Sequence, residues 1–127
     1  MADVKASEEF SGKISILVRY PKEGLVLFAP QGEIIGDARF ELHDLFVKKI
    51  SGQYKNLIMD LTEVPILDSV SLGLLVAFYT ELNKKNGKLV LLNVGRRVNC
   101  LLVVTKLDQF FEKYDDEQEG VDSFKGV

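Results

Sequence analysis

Asn56-Leu-Ile-Met-Asp60-Leu61 is a short, nearly continuous apolar run near the middle of the chain, and it limits the fold more than any other segment. A strand with one wet face alternates apolar and polar residues, whereas a strand covered on both faces does not, and that is the pattern of a parallel sheet. The run therefore predicts a central buried strand. The flanking segments supply its neighbours. Ile14 to Tyr20 and Leu25 to Pro30 are β-rich runs separated by Pro21-Lys22-Glu23-Gly24, a turn that suits an antiparallel hairpin. From Gly36 onward Ala38, Phe40, Leu42, Leu45, Phe46, Lys49 and Ile50 recur near helical spacing and stop before Ser51-Gly52. Ser71 to Lys85 predicts a second helix closed by Asn86-Gly87, Lys88 to Asn93 another strand, Arg97 to Thr105 a short helix and Gln109 to Lys113 a last strand.

This β-β-α-β-α-β-α order predicts a single α/β domain: a mixed sheet of four to five strands with an initial β-hairpin and parallel later strands, and three to four helices. Residues 1–13 are polar and aperiodic, which predicts a loose N-terminal arm, so the domain is expected to span 14–114. The acidic tail, 115–127, reads as either a short amphipathic helix or a frayed end. With 127 residues, 46% of them hydrophobic, a core alone can hold the fold, and no cofactor is expected.

The charge balance narrows the function. A net charge of -3 offers no global positive field, so no nucleic-acid partner is expected. Leu72 to Tyr79, the longest mostly apolar stretch, is far shorter than the ~20 residues that cross a bilayer, so no membrane insertion is expected. Cys100 is the one cysteine, and Met1 to Phe10 lacks the basic start and apolar run of a signal peptide, so the expected compartment is the cytoplasm. Cys100 sits in the apolar stretch Val98 to Val104 and is expected to be a buried, inert thiol. His43, the one histidine, has no nucleophile elbow to serve, and one His with one Cys makes no transition-metal site. A phosphate-accepting receiver domain needs an acidic pair after its first strand for magnesium, and Val18-Arg19-Tyr20-Pro21 supplies none.

Chemistry is best placed on Val64-Pro-Ile-Leu-Asp68-Ser69-Val70-Ser71-Leu72-Gly73, which joins the central strand to its helix. In open α/β sheets ligands and partners are met at the carboxyl ends of parallel strands, beside the helix starts. Asp68 and Ser69 both suit that role, and both are also preferred N-caps. Along the helix, Leu72, Leu75, Val76, Tyr79 and Leu82 form one apolar stripe, which Leu74, Ala77 and Phe78 widen beyond what one sheet normally covers. The extra width means either a helix buried on two sides within its own domain or a face that meets a partner.

These residues resemble the STAS domain of bacterial anti-sigma-factor antagonists. That family has an apolar strand ending in Asp, a short connection, and Asp-Ser-(Ser or Thr)-Gly-Leu-Gly opening an apolar helix. Asp60, Asp68-Ser69 and Leu72-Gly73 fit the layout, as do Gly32-Glu33, Asn86-Gly87-Lys88-Leu89, Arg97 and Leu107-Asp108, so that the resemblance spans about residues 14–114. Val70 and Ser71 depart from the motif, and Asp37 is displaced by two positions from the early Gly-Glu-Leu-Asp signature. The resemblance implies a non-enzymatic binding module with Ser69 as phosphoacceptor and Ser71 as second candidate. It implies a partner that is an anti-sigma factor of the serine-kinase ATPase type, bound when Ser69 is unmodified and released on phosphorylation, with a serine phosphatase restoring binding. Asp68, Ser69, Val70, Leu72, Gly73, Leu74, Phe78, Gly32 and Glu33 are the expected contact residues, and a homodimer stays open. The rival expectation is a constitutive STAS subunit of a lipid-transport or signalling assembly, with Ser69 as a helix cap alone.

Overall fold

The computed structural model of the protein describes residues 7–125. Along them run β1 (Glu8–Phe10), β2 (Ser15–Lys22), β3 (Leu25–Gln31), α1 (Ala38–Ile50), β4 (Asn56–Asp60), α2 (Ser69–Lys84), β5 (Lys88–Leu92), α3 (Arg96–Val104), β6 (Glu112–Tyr114) and α4 (Glu117–Asp122). The strands form one sheet in sequence order, β1-β2-β3-β4-β5-β6. β1, β2 and β3 pair antiparallel, and β3 through β6 pair parallel. The fold is α/β with a mixed sheet, as expected, and has six strands among the described residues instead of four to five.

The apolar run at 56–61 takes the central position its pattern demands. Leu57 and Met59 face a core shared with α1, α2 and α3, into which Phe28, Leu42, Phe46, Leu72, Leu75, Phe78, Val98 and Leu102 also pack. Ile58 points the other way, into a second cluster with Leu25, Leu27, Val90, Leu92, Val121 and Phe124. Alternate residues of each central strand thus serve opposite faces, and both faces are apolar.

The cover of the second face comes from the described part of the acidic tail, 115–125, which forms a short helix and packs on the sheet. Asp116 caps α4 by accepting the Glu119 N–H at 3.0 Å. Arg19 on β2 donates to both carboxylate oxygens of Glu117, at 2.8 and 2.9 Å, and holds that carboxyl below its ordinary pKa. The ammonium of Lys22 donates to the Phe124 carbonyl at 2.6 Å, and that of Lys88 to the Ser123 carbonyl at 2.9 Å. Lys88 also lies over the Phe124 ring, 4.7 Å from its centre. The tail's acidic surface meets basic side chains that emerge from the sheet.

Other expectations shift at the margins. The loose arm expected over 1–13 contains β1, whose Glu8 pairs opposite Val18 and accepts hydrogen bonds from Tyr20 and Lys49; residues 1–6 lie outside the described residues. Three residues are too few to show a period of two. The hairpin turn tightens to Glu23-Gly24, with Gly24 at φ 82°, because β2 continues through Pro21 after a bulge between Arg19 and Lys22. Cys100 is exposed, not buried: Val98 and Leu102, four residues apart, point inward, and Cys100 falls between them on the far side of α3. No helix among the described residues is long and apolar enough to cross a membrane.

Asn86-Gly87 closes α2 with divided roles. Asn86 takes the left-handed conformation, φ 63°, and the Gly87 N–H returns to the Leu82 carbonyl at 2.8 Å. Gly87 is required for space, since a Cβ there would stand 1.7 Å from the Lys55 carbonyl oxygen. Gly87→Ala is expected to lower stability by about 3 kcal/mol through forced backbone displacement, read as a lower urea midpoint with an unchanged slope. A midpoint equal to that of the native chain would show that the contact between the α2–β5 turn and Lys55 yields freely.

Candidate functional site

Because β3, β4 and β5 are parallel, the connections leaving their carboxyl ends gather at one edge of the sheet. Two of these are laced together. The Gly32 N–H donates to the Glu63 carbonyl at 2.9 Å, the Ile34 N–H to the Ile66 carbonyl at 3.1 Å, and the Asp68 N–H back to the Ile34 carbonyl at 3.3 Å. Gly32 accommodates this path at φ 128°, where a side chain would be strained.

Asp68 completes the junction. Its backbone is extended, φ -89° and ψ 172°, and its side chain caps α2, with Oδ1 accepting the Ser71 N–H at 2.8 Å. Oδ2 accepts the Gly36 N–H at 3.0 Å, from the connection after β3. One carboxylate therefore satisfies an orphan donor at the helix start and ties down a second loop. Its pKa is lowered by the neighbouring Ser71 hydroxyl, then by the Gly36 and Ser71 N–H groups, with a further contribution from the Arg39 charge. The Ser71 hydroxyl is close enough to favour the carboxylate, yet its geometry closes no hydrogen bond with any partner.

The sequence left capping open between Asp68 and Ser69, and the structure assigns it to Asp68. Ser69 is the first residue of α2 and is exposed, so the expectation of Ser69 as a helix cap is corrected: the cap position is already filled one residue earlier. Ser71, the second candidate acceptor, is 2% exposed and is therefore shut away from a modifying enzyme.

The expected contact residues divide in the same way. Val70 is 56% exposed, Gly73 and Glu33 are exposed, Gly32, Asp68 and Leu74 are half-buried, and Leu72 and Phe78 are core. The surface role expected of Leu72 and Phe78 is thus corrected. Leu72 packs in the core cluster under the helices. The Phe78 ring stacks on Phe46 of α1, centroids 3.9 Å apart. The other flank of α2 is closed by Tyr79 against Phe110 and Phe111, with centroids at 4.5 and 6.3 Å. The wide apolar face is therefore covered within the domain on two sides. What α2 leaves outward near its start is small: Ser69, Val70 and Gly73, and the space a side chain on Gly73 would occupy is open.

Four neighbours of this surface were not among the expected site residues. Ile35 is 42% exposed and Phe40 is 52% exposed, beside the half-buried Arg39. Gly36 read as the first residue of a helix, whereas it precedes α1 in the left-handed conformation, φ 55°. A glycine followed by Asp37 signals a turn as readily as a helix entry, and that was the available sign.

The sequence profile of the STAS domain matches residues 18–120. The chain belongs to the STAS domain family. This STAS domain is 27% identical over 105 residues to an anti-sigma factor antagonist homologue of Thermotoga neapolitana, covering 82% of this chain and 93% of that protein. It superimposes on the crystal structure of an anti-sigma factor antagonist from Mycobacterium paratuberculosis with a TM-score of 0.76 and 25% identity, covering 87% of this chain and 92% of that one. With the Bacillus cell fate determinant SpoIIAA in its phosphorylated form the TM-score is 0.69 at 19% identity, over 87% of this chain and 99% of that one.

Asp68→Ala is expected to cost about 1 to 2 kcal/mol at neutral pH, through the lost cap and the released Gly36 N–H. Because the folded pKa of Asp68 is depressed, its contribution is complete above the unfolded value of about 3.9 and fades as pH falls through the lower folded value. Urea unfolding at pH 7 and at progressively lower pH should show the gap between native and Asp68→Ala proteins narrowing in acid. A constant gap would assign the effect to something other than the charged carboxylate.

Proposed function

We propose that this STAS domain is a cytoplasmic anti-sigma-factor antagonist, a binding module whose affinity is set by phosphorylation of Ser69. The observation that carries the reading is the division of labour at the start of α2. Asp68 holds the fold, while the adjacent Ser69 is exposed and its hydroxyl has no hydrogen bond among the described residues. A modification there changes the surface and leaves the cap in place.

Phosphorylation adds roughly 1.5 to 2 negative charges beside the Asp68 carboxylate. In the isolated domain the helix start tolerates an anion, so folding continues. In a closed interface the same dianion must lose its water next to a like charge, and association weakens. Val70 and Ile35 give the unmodified surface its apolar character and Gly73 its accessible backbone, with the Glu33 carboxylate exposed alongside, and burial of Ser71 favours Ser69 as the acceptor. The partner in this reading is a serine-kinase ATPase that doubles as anti-sigma factor, and a serine phosphatase restores binding. The names of the relatives support the antagonist assignment, and the phosphorylated form of the Bacillus relative supports a modified state of the same fold.

The test is a pull-down from lysate of the source organism with Ser69→Ala and Ser69→Asp baits, followed by calorimetry with the retained protein. The Ala bait is expected to hold an ATPase of this kind and the Asp bait to bind it roughly 100-fold more weakly, about 3 kcal/mol, with both baits folded. Equal retention of one transporter or scaffold by both baits would instead make the domain a constitutive assembly subunit.

A further inference from the structure

Arg39, in the first turn of α1, stands outside every close ion pair among the described residues. Its Nη1 donates to the Gly36 carbonyl at 2.8 Å, and its guanidinium lies 4.4 Å from the centre of the Phe40 ring. Both partners are uncharged, and none of the ion pairs among the described residues includes Arg39. The same residue that accepts from Arg39 donates to the α2 cap: the Gly36 N–H reaches Asp68 Oδ2 at 3.0 Å. A single peptide segment thus fixes the guanidinium on one side and the carboxylate next to Ser69 on the other. The two charges are near enough for Arg39 to stabilise the Asp68 carboxylate.

Room and a further donor are present at this place. The volume that a side chain on Gly36 would fill is open. Ser71 Oγ, in the same first turn of α2, is buried without a hydrogen-bond partner. An exposed hydroxyl, a guanidinium outside any close ion pair and a buried hydroxyl that closes no hydrogen bond are gathered around one loop.

We propose that Arg39 is the phosphate-binding residue of this domain: phosphoserine at position 69 draws the guanidinium from the Gly36 carbonyl and the Phe40 ring and is held by it against the protein's own surface. The inference rests on Ser69 being the acceptor. A phosphate dianion outcompetes a neutral carbonyl and a ring face for a guanidinium, because the new hydrogen bonds are charge-assisted and paired. No proton moves, since arginine stays charged throughout the accessible pH range. The phosphate then draws α1 and the start of α2 together, and Phe40 loses its guanidinium cover as the serine is modified.

The experiment places phosphoserine at position 69 by genetic incorporation, in the full chain and in its Arg39→Ala and Arg39→Lys variants, and follows the second phosphate ionisation by phosphorus NMR at high salt. High salt screens distant charges and leaves contact pairs. Asp68 is present in all three proteins, so its opposing effect cancels. The native chain is expected to titrate about one unit lower than Arg39→Ala, with Arg39→Lys between them because an ammonium lacks the paired geometry. Identical titrations in the three proteins, with circular dichroism showing each folded, would overturn the role of Arg39. The phosphate is installed without a kinase, so this result is independent of the Ser69→Ala and Ser69→Asp binding comparison, which tests whether the serine is a switch at all.

Discussion

The two-sided burial of β4 is the constraint from which the rest of the architecture follows. Ile58 and its neighbours Leu25, Leu27, Val90 and Leu92 leave a second apolar sheet face that three helices on the opposite side cannot reach. A sheet of this kind needs two layers of cover. Here the second layer is a six-residue helix and the residues after it, fixed by Arg19, Lys22 and Lys88. The first of these contacts pairs two partly exposed charges and is worth little alone, while the lysines donate to backbone carbonyls. Their work is to orient Val121 and Phe124 over the sheet, where burial of apolar area supplies the stability.

Parallel pairing has a second consequence, at the edge where the strands end. Loops that are distant in sequence arrive side by side, and a short polar group can join them. Asp68 does so with its two oxygens, one for its own helix and one for the loop after β3. The residue that bears the surface chemistry can therefore be the next one along, placed by the cap and not needed for it. This separation of a structural Asp from an exposed Ser is what the paired motif provides physically.

The sequence made the order of the main elements along the chain, the central strand and the long helices legible because each rests on periodicity or on a strong stop signal: the apolar run at 56–61, and Asn86-Gly87 after α2. Capping between Asp68 and Ser69 was not legible, since both side chains accept from helix amides and only the backbone decides which stands outside the helix. Burial of Phe78 was not legible either. An apolar stripe shows that a helix face is covered, not what covers it, and Phe46 arrives from α1, a separate element. Cys100 shows the limit of reading composition without phase, for a helix of nine residues in an apolar stretch still has an outer side. β1 and α4 are shorter than the window over which periodicity can be judged, and both are held by side chains from elsewhere in the chain. Arg39 falls in this class: its interest lies in a meeting of two loops that no local pattern encodes.

Among the described residues the sheet ends on both sides in strands of three residues, β1 and β6, each carrying charged side chains. Edges that short offer a neighbouring chain only a few backbone groups to pair with, and charge along them makes such pairing costlier still. Growth by strand addition, the common route from a β-sheet to a fibre or an intertwined oligomer, is disfavoured at margins of this kind. The helices and loops are the surfaces where contacts can be made and undone without rearranging the sheet.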